Sequence, residues 1–66
     1  MNLERFASIL RQRRDELGVT QRHIASRLGV DQSTVARWEL AERTPSGPHM
    51  VRLCHLLRIS FDEVMA

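Results

Sequence analysis

The segment Gln21 to Trp38 mixes two kinds of residue at helical spacing. Ile24, Leu28, Val30, Val35 and Trp38 are apolar, and Ala25 is small. Gln32, Ser33, Ala36 and Arg37 fall on the opposite side of any helix that buries Val35 and Trp38. With Thr34 at its flank, that face offers amide, hydroxyl and guanidinium groups. Such groups hydrogen-bond base edges and phosphate oxygens. The same residue types are ordinary on a solvated helix, so their surroundings must decide between readout and solvation.

Other chemistry finds little support. No nucleophile elbow, phosphate loop or paired carboxylate is present, so no catalysis is expected. His49, Cys54 and His55 are too few for a zinc site, which needs four converging ligands, and no second cysteine exists. No metal, cofactor or small-molecule ligand is expected. Cys54 lies on an apolar stripe and reads as a small buried hydrophobe. Trp38 reads as core, and the aromatics are too sparse to stack on a single strand. His23 reads as surface.

The elements that must position these residues are all helical. Apolar residues at 3, 6, 7, 10 and 17 predict a helix over about 3–17, stopped by Gly18. Arg14 falls on that apolar stripe and needs a partner. Thr20 is a good N-cap for a second helix carrying Ile24, Ala25 and Leu28 and ended by Gly29. Asp31 offers an oxygen to cap a third helix, Gln32 to about Leu40, after a tight turn at Gly29-Val30. The stretch Arg43 to Pro48 is a loop, with Pro48 suited to the first position of a fourth helix. That helix buries Met50 or Val51, Leu53, Cys54 and Leu57. Ser60 and Glu63 form a capping box for a short fifth helix. No segment alternates like a strand. The expected fold is an all-α bundle of five short helices in one domain over residues 1–66.

Sixty-six residues, 42% apolar and 27% charged, suit one small globular domain rather than a disordered tail. No run is long and apolar enough for a membrane span or a secretory signal, so a cytoplasmic protein is expected, away from any membrane. The net charge is only +2. Its distribution is more telling: residues 1–37 hold seven Arg and four acids, residues 38–66 three Arg and four acids. A basic N-terminal half suits a polyanionic partner.

The residues Arg14, Gly18, Thr20-Gln21, Ile24-Ala25, Leu28-Gly29, Val35, Trp38-Glu39, Arg43-Thr44-Pro45, Leu53-Cys54 and Leu57 through Val64 form a joint pattern. With these residues, the chain resembles the Cro and phage-repressor helix-turn-helix family of DNA-binding transcription regulators over nearly its whole length. The resemblance implies that the helix from Gln32 lies in the major groove of double-stranded DNA. It places Gln32, Ser33 and Arg37 at base-reading positions, Gln32 toward adenine and Arg37 toward guanine. It implies that Gln21 grips a phosphate and braces Gln32. Thr20, Thr34, Arg11, Arg13, Arg22 and Arg43 are further phosphate candidates. Arg14 and Glu39 fall where the family forms a semi-buried ion pair, a structural role.

The chain also departs from the family pattern. Gly usually follows the Glu of Trp-Glu by two residues, and here that residue is Ala41. Ala tolerates the left-handed region poorly, so a longer helix or a different loop is expected, with consequences for Arg43. Arg58 replaces another common Gly, and His23 removes a second capping box.

One short helix reads too few bases for specificity, so a homodimer on a palindromic operator is expected. With Ala66 as the last residue, the dimer contact is expected from exposed apolar residues Ile59, Phe61, Val64 and Met65. Within that reading, a restriction–modification controller, a phage repressor or Cro-like switch and an antitoxin share this size. The rival from another class is a helical protein-interaction module that has lost DNA readout.

Overall fold

The computed structural model describes residues 2–65. Its elements are α1 (Leu3–Leu17), α2 (Gln21–Leu28), α3 (Gln32–Glu39), α4 (Gly47–Leu57) and α5 (Phe61–Met65). No strand occurs among the described residues.

Local chemistry explains most of the boundaries. The Asn2 side chain accepts from Arg5 N–H at 3.0 Å and starts α1. The Thr20 hydroxyl accepts from His23 N–H at 2.9 Å and starts α2. At α5 the Glu63 carboxylate accepts from Ser60 N–H at 2.8 Å, and the Ser60 hydroxyl accepts from Glu63 N–H at 3.3 Å. This reciprocal pair is the expected capping box.

Two starts differ from expectation. Asp31 precedes α3, but its side chain makes no cap hydrogen bond. Its backbone carbonyl alone accepts, from Thr34 and Val35 N–H. The first N–H groups of α3 therefore lack a side-chain acceptor. Helix α4 begins at Gly47, with Ser46 as its N-cap, so Pro48 sits one position further in than expected. Pro48 still falls in the first turn, where its missing N–H is harmless.

The helix ends share one geometry. Gly18, Gly29, Ala41 and Arg58 all take positive φ, at 68°, 72°, 59° and 56°. After each, the following N–H returns to the last turn: Val19 to Arg14 O, Val30 to Ala25 O, Glu42 to Arg37 O and Ile59 to Cys54 O. Ala41 thus ends α3 where a glycine would, and the expected longer helix does not form. Helix α3 stops at Glu39, one residue before its expected end.

The core is a single cluster built from every helix. Phe6 and Leu10 of α1, Ile24 and Leu28 of α2, Val35 and Trp38 of α3, Met50, Leu53 and Leu57 of α4, and Val64 of α5 are buried. Each large side chain contributes about 1.5–3 kcal/mol of transfer free energy. Met50, not Val51, takes the inner position of α4. Leu17, the last apolar residue of the α1 stripe, is exposed instead of buried.

Two residues assigned to an exposed dimer surface belong to this core. Ile59 is 4% exposed and Val64 2%. Ile59 follows the left-handed turn at Arg58, which folds the chain back over α4, and Val64 is the inward residue of α5. Neither is available to a second chain in this fold. Phe61 and Met65 are exposed, at 59% and 65%.

Candidate nucleic-acid interface

Helix α3 divides sharply into two faces. Val35, Trp38 and Glu39 point inward and are buried. Gln32, Ser33, Arg37 and Leu40 are exposed, with Ala36 half-buried among them. At 100° per residue these five side chains occupy one continuous stripe along the helix. Among the described residues, Gln32, Ser33 and Arg37 make no side-chain hydrogen bond or ion pair within the chain. Their donors and acceptors are free for an outside partner. Leu40 was assigned no role from sequence beyond closing the helix. An apolar side chain on this stripe can touch a thymine methyl. The signal was available: Leu40 lies four residues from Ala36 and eight from Gln32.

The inner face holds the stripe in place through one buried carboxylate. Glu39 is 2% exposed. It accepts from Arg14 Nε at 2.6 Å, from Arg14 Nη2 at 3.2 Å and from Gln21 Nε2 at 3.0 Å. This is the pair placed at Arg14 and Glu39, and it joins α1, α2 and α3 at one point. It also answers why an arginine interrupts the apolar stripe of α1. The hydrogen bond to Glu39 raises the Arg14 guanidinium above its ordinary range against the opposing effect of burial. Arg14 Nη1 also donates to Val19 O at 3.2 Å, across the α1–α2 turn.

Gln21 differs from expectation. Its amide nitrogen is bonded to Glu39 rather than to Gln32. An amide carries two N–H donors, so one remains. The residue therefore braces α3 at its C-terminal end, not at its first turn.

Two of the arginines assigned to phosphates are held by the fold itself. Arg11 Nη1 donates to Glu39 O at 2.6 Å, on the open carbonyl end of α3. Arg13 Nη1 donates to the carbonyls of Leu57 and Arg58, and Nη2 to Glu63 Oε1 at 2.6 Å. Arg13 Nε also lies 3.3 Å from Glu16. Arg13 thus clamps α1 to the end of α4 and to α5, and the expectation of a phosphate contact from it is corrected. Counting charges along the chain could not show this, because the partners lie 44 to 50 residues away. Thr20, Arg22 and Arg43 are exposed, and Thr34 is half-buried. The side chains of Arg22, Thr34 and Arg43 have no partner within the described residues, whereas the Thr20 hydroxyl is engaged as the α2 cap.

Cys54 is buried, and desolvation with a smaller contribution from Glu63 raises its thiol, so the thiolate is disfavoured. His49 packs against Trp38 with ring centroids 5.7 Å apart. Among the described residues, no three His, Cys, Asp or Glu side chains gather as metal ligands.

The family model described as helix-turn-helix matches residues 10–64, spanning α2, the Gly29 turn, α3 and most of the packing around them. The chain belongs to the Cro and phage-repressor type of helix-turn-helix family. Comparison with curated proteins gave no match, and comparison with solved structures gave none. The family match makes the chain a DNA-binding helix-turn-helix domain. Among the described residues, no helix is long and apolar enough to cross a membrane.

Proposed function

We propose that this helix-turn-helix protein is a sequence-specific regulator of transcription that binds a palindromic or pseudo-palindromic operator as a homodimer. The observation that carries this reading is the outer stripe of α3. Its polar groups are exposed and unpaired, while the same helix is locked from behind by Glu39. Gln32 pairs bidentately with adenine, Arg37 with guanine, and Ser33 is less selective. Leu40 adds apolar contact at the far end of the stripe.

Phosphates are met by Thr20, Gln21, Arg22, Thr34 and Arg43. Gln21 uses its second amide proton. The uncapped N–H groups at the start of α3 add donors that need no net charge. With Arg11 and Arg13 bonded within the protein, few arginines remain for phosphates, so binding weakens only modestly with salt.

The dimer contact falls to Phe61 and Met65, the exposed apolar residues of α5. Phe61→Asp converts the protein to monomers that bind the operator weakly, as read by sedimentation and by gel shift. A variant that stays dimeric removes α5 from the interface.

The decisive experiment is selection of random duplex DNA by the purified protein near physiological salt. The expected result is an enriched inverted repeat with half-sites about one helical turn apart. Absence of enrichment overturns the reading in favour of a protein-interaction module.

A further inference from the structure

A second basic feature lies away from the α3 stripe. The C-terminal end of α2 and the outer side of α4 enclose an open cleft of about 430 Å³. It is lined by Arg27, Leu28, Arg52, His55, Leu56 and Arg58. Three guanidiniums and an imidazole meet there, and no carboxylate lines it. We propose that this cleft is a binding site for a phosphate group.

The argument is one of unmatched charge. Arg52 Nη2 donates to Arg27 O at 2.6 Å, which fixes the Arg52 side chain over the end of α2. The side chains of Arg27 and Arg58 have no hydrogen bond or ion pair among the described residues. A simpler account is that these cations merely offset the negative ends of two helices. Each helix end carries roughly half a negative charge, so two ends offset about one of the three arginines. An excess of about two positive charges is left facing one small space. All three arginines are exposed, so water screens their mutual repulsion, and an anion between them is attracted by each.

The geometry favours a phosphate over a carboxylate. Guanidiniums that approach from two helices and from the turn after α4 need several oxygens in different directions, which a tetrahedral phosphate supplies. Leu28 and Leu56 form an apolar floor beside the cations, suited to whatever carries the phosphate. That carrier is either a free phosphorylated small molecule or the backbone of a duplex. None of Gln32, Ser33 and Arg37 lines the cleft, so the site stands independently of the base-reading assignment.

The test is a titration of the full chain with inorganic pyrophosphate, followed by amide chemical shifts, against a parallel series matched in ionic strength with sodium chloride. The same titration is repeated with a duplex of unrelated sequence. The comparison protein carries Arg27→Gln and Arg58→Gln together. Neither side chain is bonded within the fold, so operator selection stays as in wild type and the melting temperature shifts only by the small contribution of two charges at helix ends.

Saturable shifts at Arg27, Arg52, His55 and Arg58 with pyrophosphate, weakened about tenfold or more in the double variant, establish the site with a free phosphate as its source. Shifts there with the duplex alone, lost in the double variant, establish it with backbone phosphate as its source. Shifts reproduced by chloride, absent with both probes, or unchanged in the double variant overturn the proposal.

Discussion

The two faces of α3 carry polar residues in opposite states. On the inner face the carboxylate is fully engaged: Glu39 takes Arg14 and Gln21, and its backbone carbonyl takes Arg11. On the outer face Gln32, Ser33 and Arg37 are exposed and bonded to nothing in the chain. The difference separates two tasks within one short helix. Bonds across three helices fix where α3 lies, so its outer residues are free of any structural duty. A binding surface of this kind can change its side chains without changing its fold.

The strongest way to break that comparison is at Glu39. Glu39→Ala leaves the Arg14 guanidinium without its carboxylate in a partly buried place and removes the anchor of Gln21. A loss of about 3 kcal/mol is expected, near the low end for a broken buried pair because Arg14 can partly reach water. For a domain of this size that lowers the melting temperature by roughly 12–24 °C. Base preference in a selection carried out well below the melting point stays as in wild type. A changed preference would show that the inner face also sets readout.

Arg37→Ala tests the other side. Specific DNA affinity falls by roughly 1–3 kcal/mol and one base position relaxes, measured by competition binding. Thermal stability stays within about 0.5 kcal/mol, because the side chain is exposed and makes no hydrogen bond or ion pair among the described residues. Unchanged affinity would withdraw Arg37 from base reading.

A smaller effect sharpens the comparison at the end of α3. Gly29 and Ala41 occupy the same left-handed conformation, at φ 72° and 59°. Ala41→Gly relieves backbone strain and is expected to raise stability by about 0.5–1 kcal/mol in a denaturant melt. The reverse change, Gly29→Ala, costs about 1 kcal/mol from strain alone. A Cβ added there meets no atom within 4 Å. Equal effects on operator preference, namely none, are expected for both.

The smallest effect lies far from α3. The Ser60 N–H, followed by the charge of Arg13, holds the Glu63 carboxyl below its ordinary range. A depressed carboxyl adds stability that is complete above its unfolded value and fades as pH falls through its folded value. Acid should therefore loosen α5 first, seen as faster amide exchange there below about pH 4. Glu63→Gln removes that pH dependence. Loss of protection in α3 at the same pH would mean that the two regions are coupled.

Much of the architecture was legible because it is local. Thr20, Gly29 and the Ser60–Glu63 box act within one helical turn, and the stripe Val35–Trp38 against Gln32–Arg37 follows from 3.6-residue periodicity alone. The misplaced features were those with competing local choices. Asp31 looked like a side-chain cap, yet its backbone suffices. Ala41 looked unable to end a helix, yet the returning N–H of Glu42 and the packing behind Trp38 outweigh its strain.

By itself, then, the sequence determined the five helices, the exposed polar stripe of α3 and the family pattern that joins them. Each depends on residues a few positions apart. Only the tertiary structure decided that Arg11 and Arg13 serve the protein, that Ile59 and Val64 close the core, and that Arg27, Arg52 and Arg58 share one cleft. A charge or a methyl group has no assigned partner until distant helices pack, and the pairing of groups tens of residues apart is set by that packing rather than by their order in the chain.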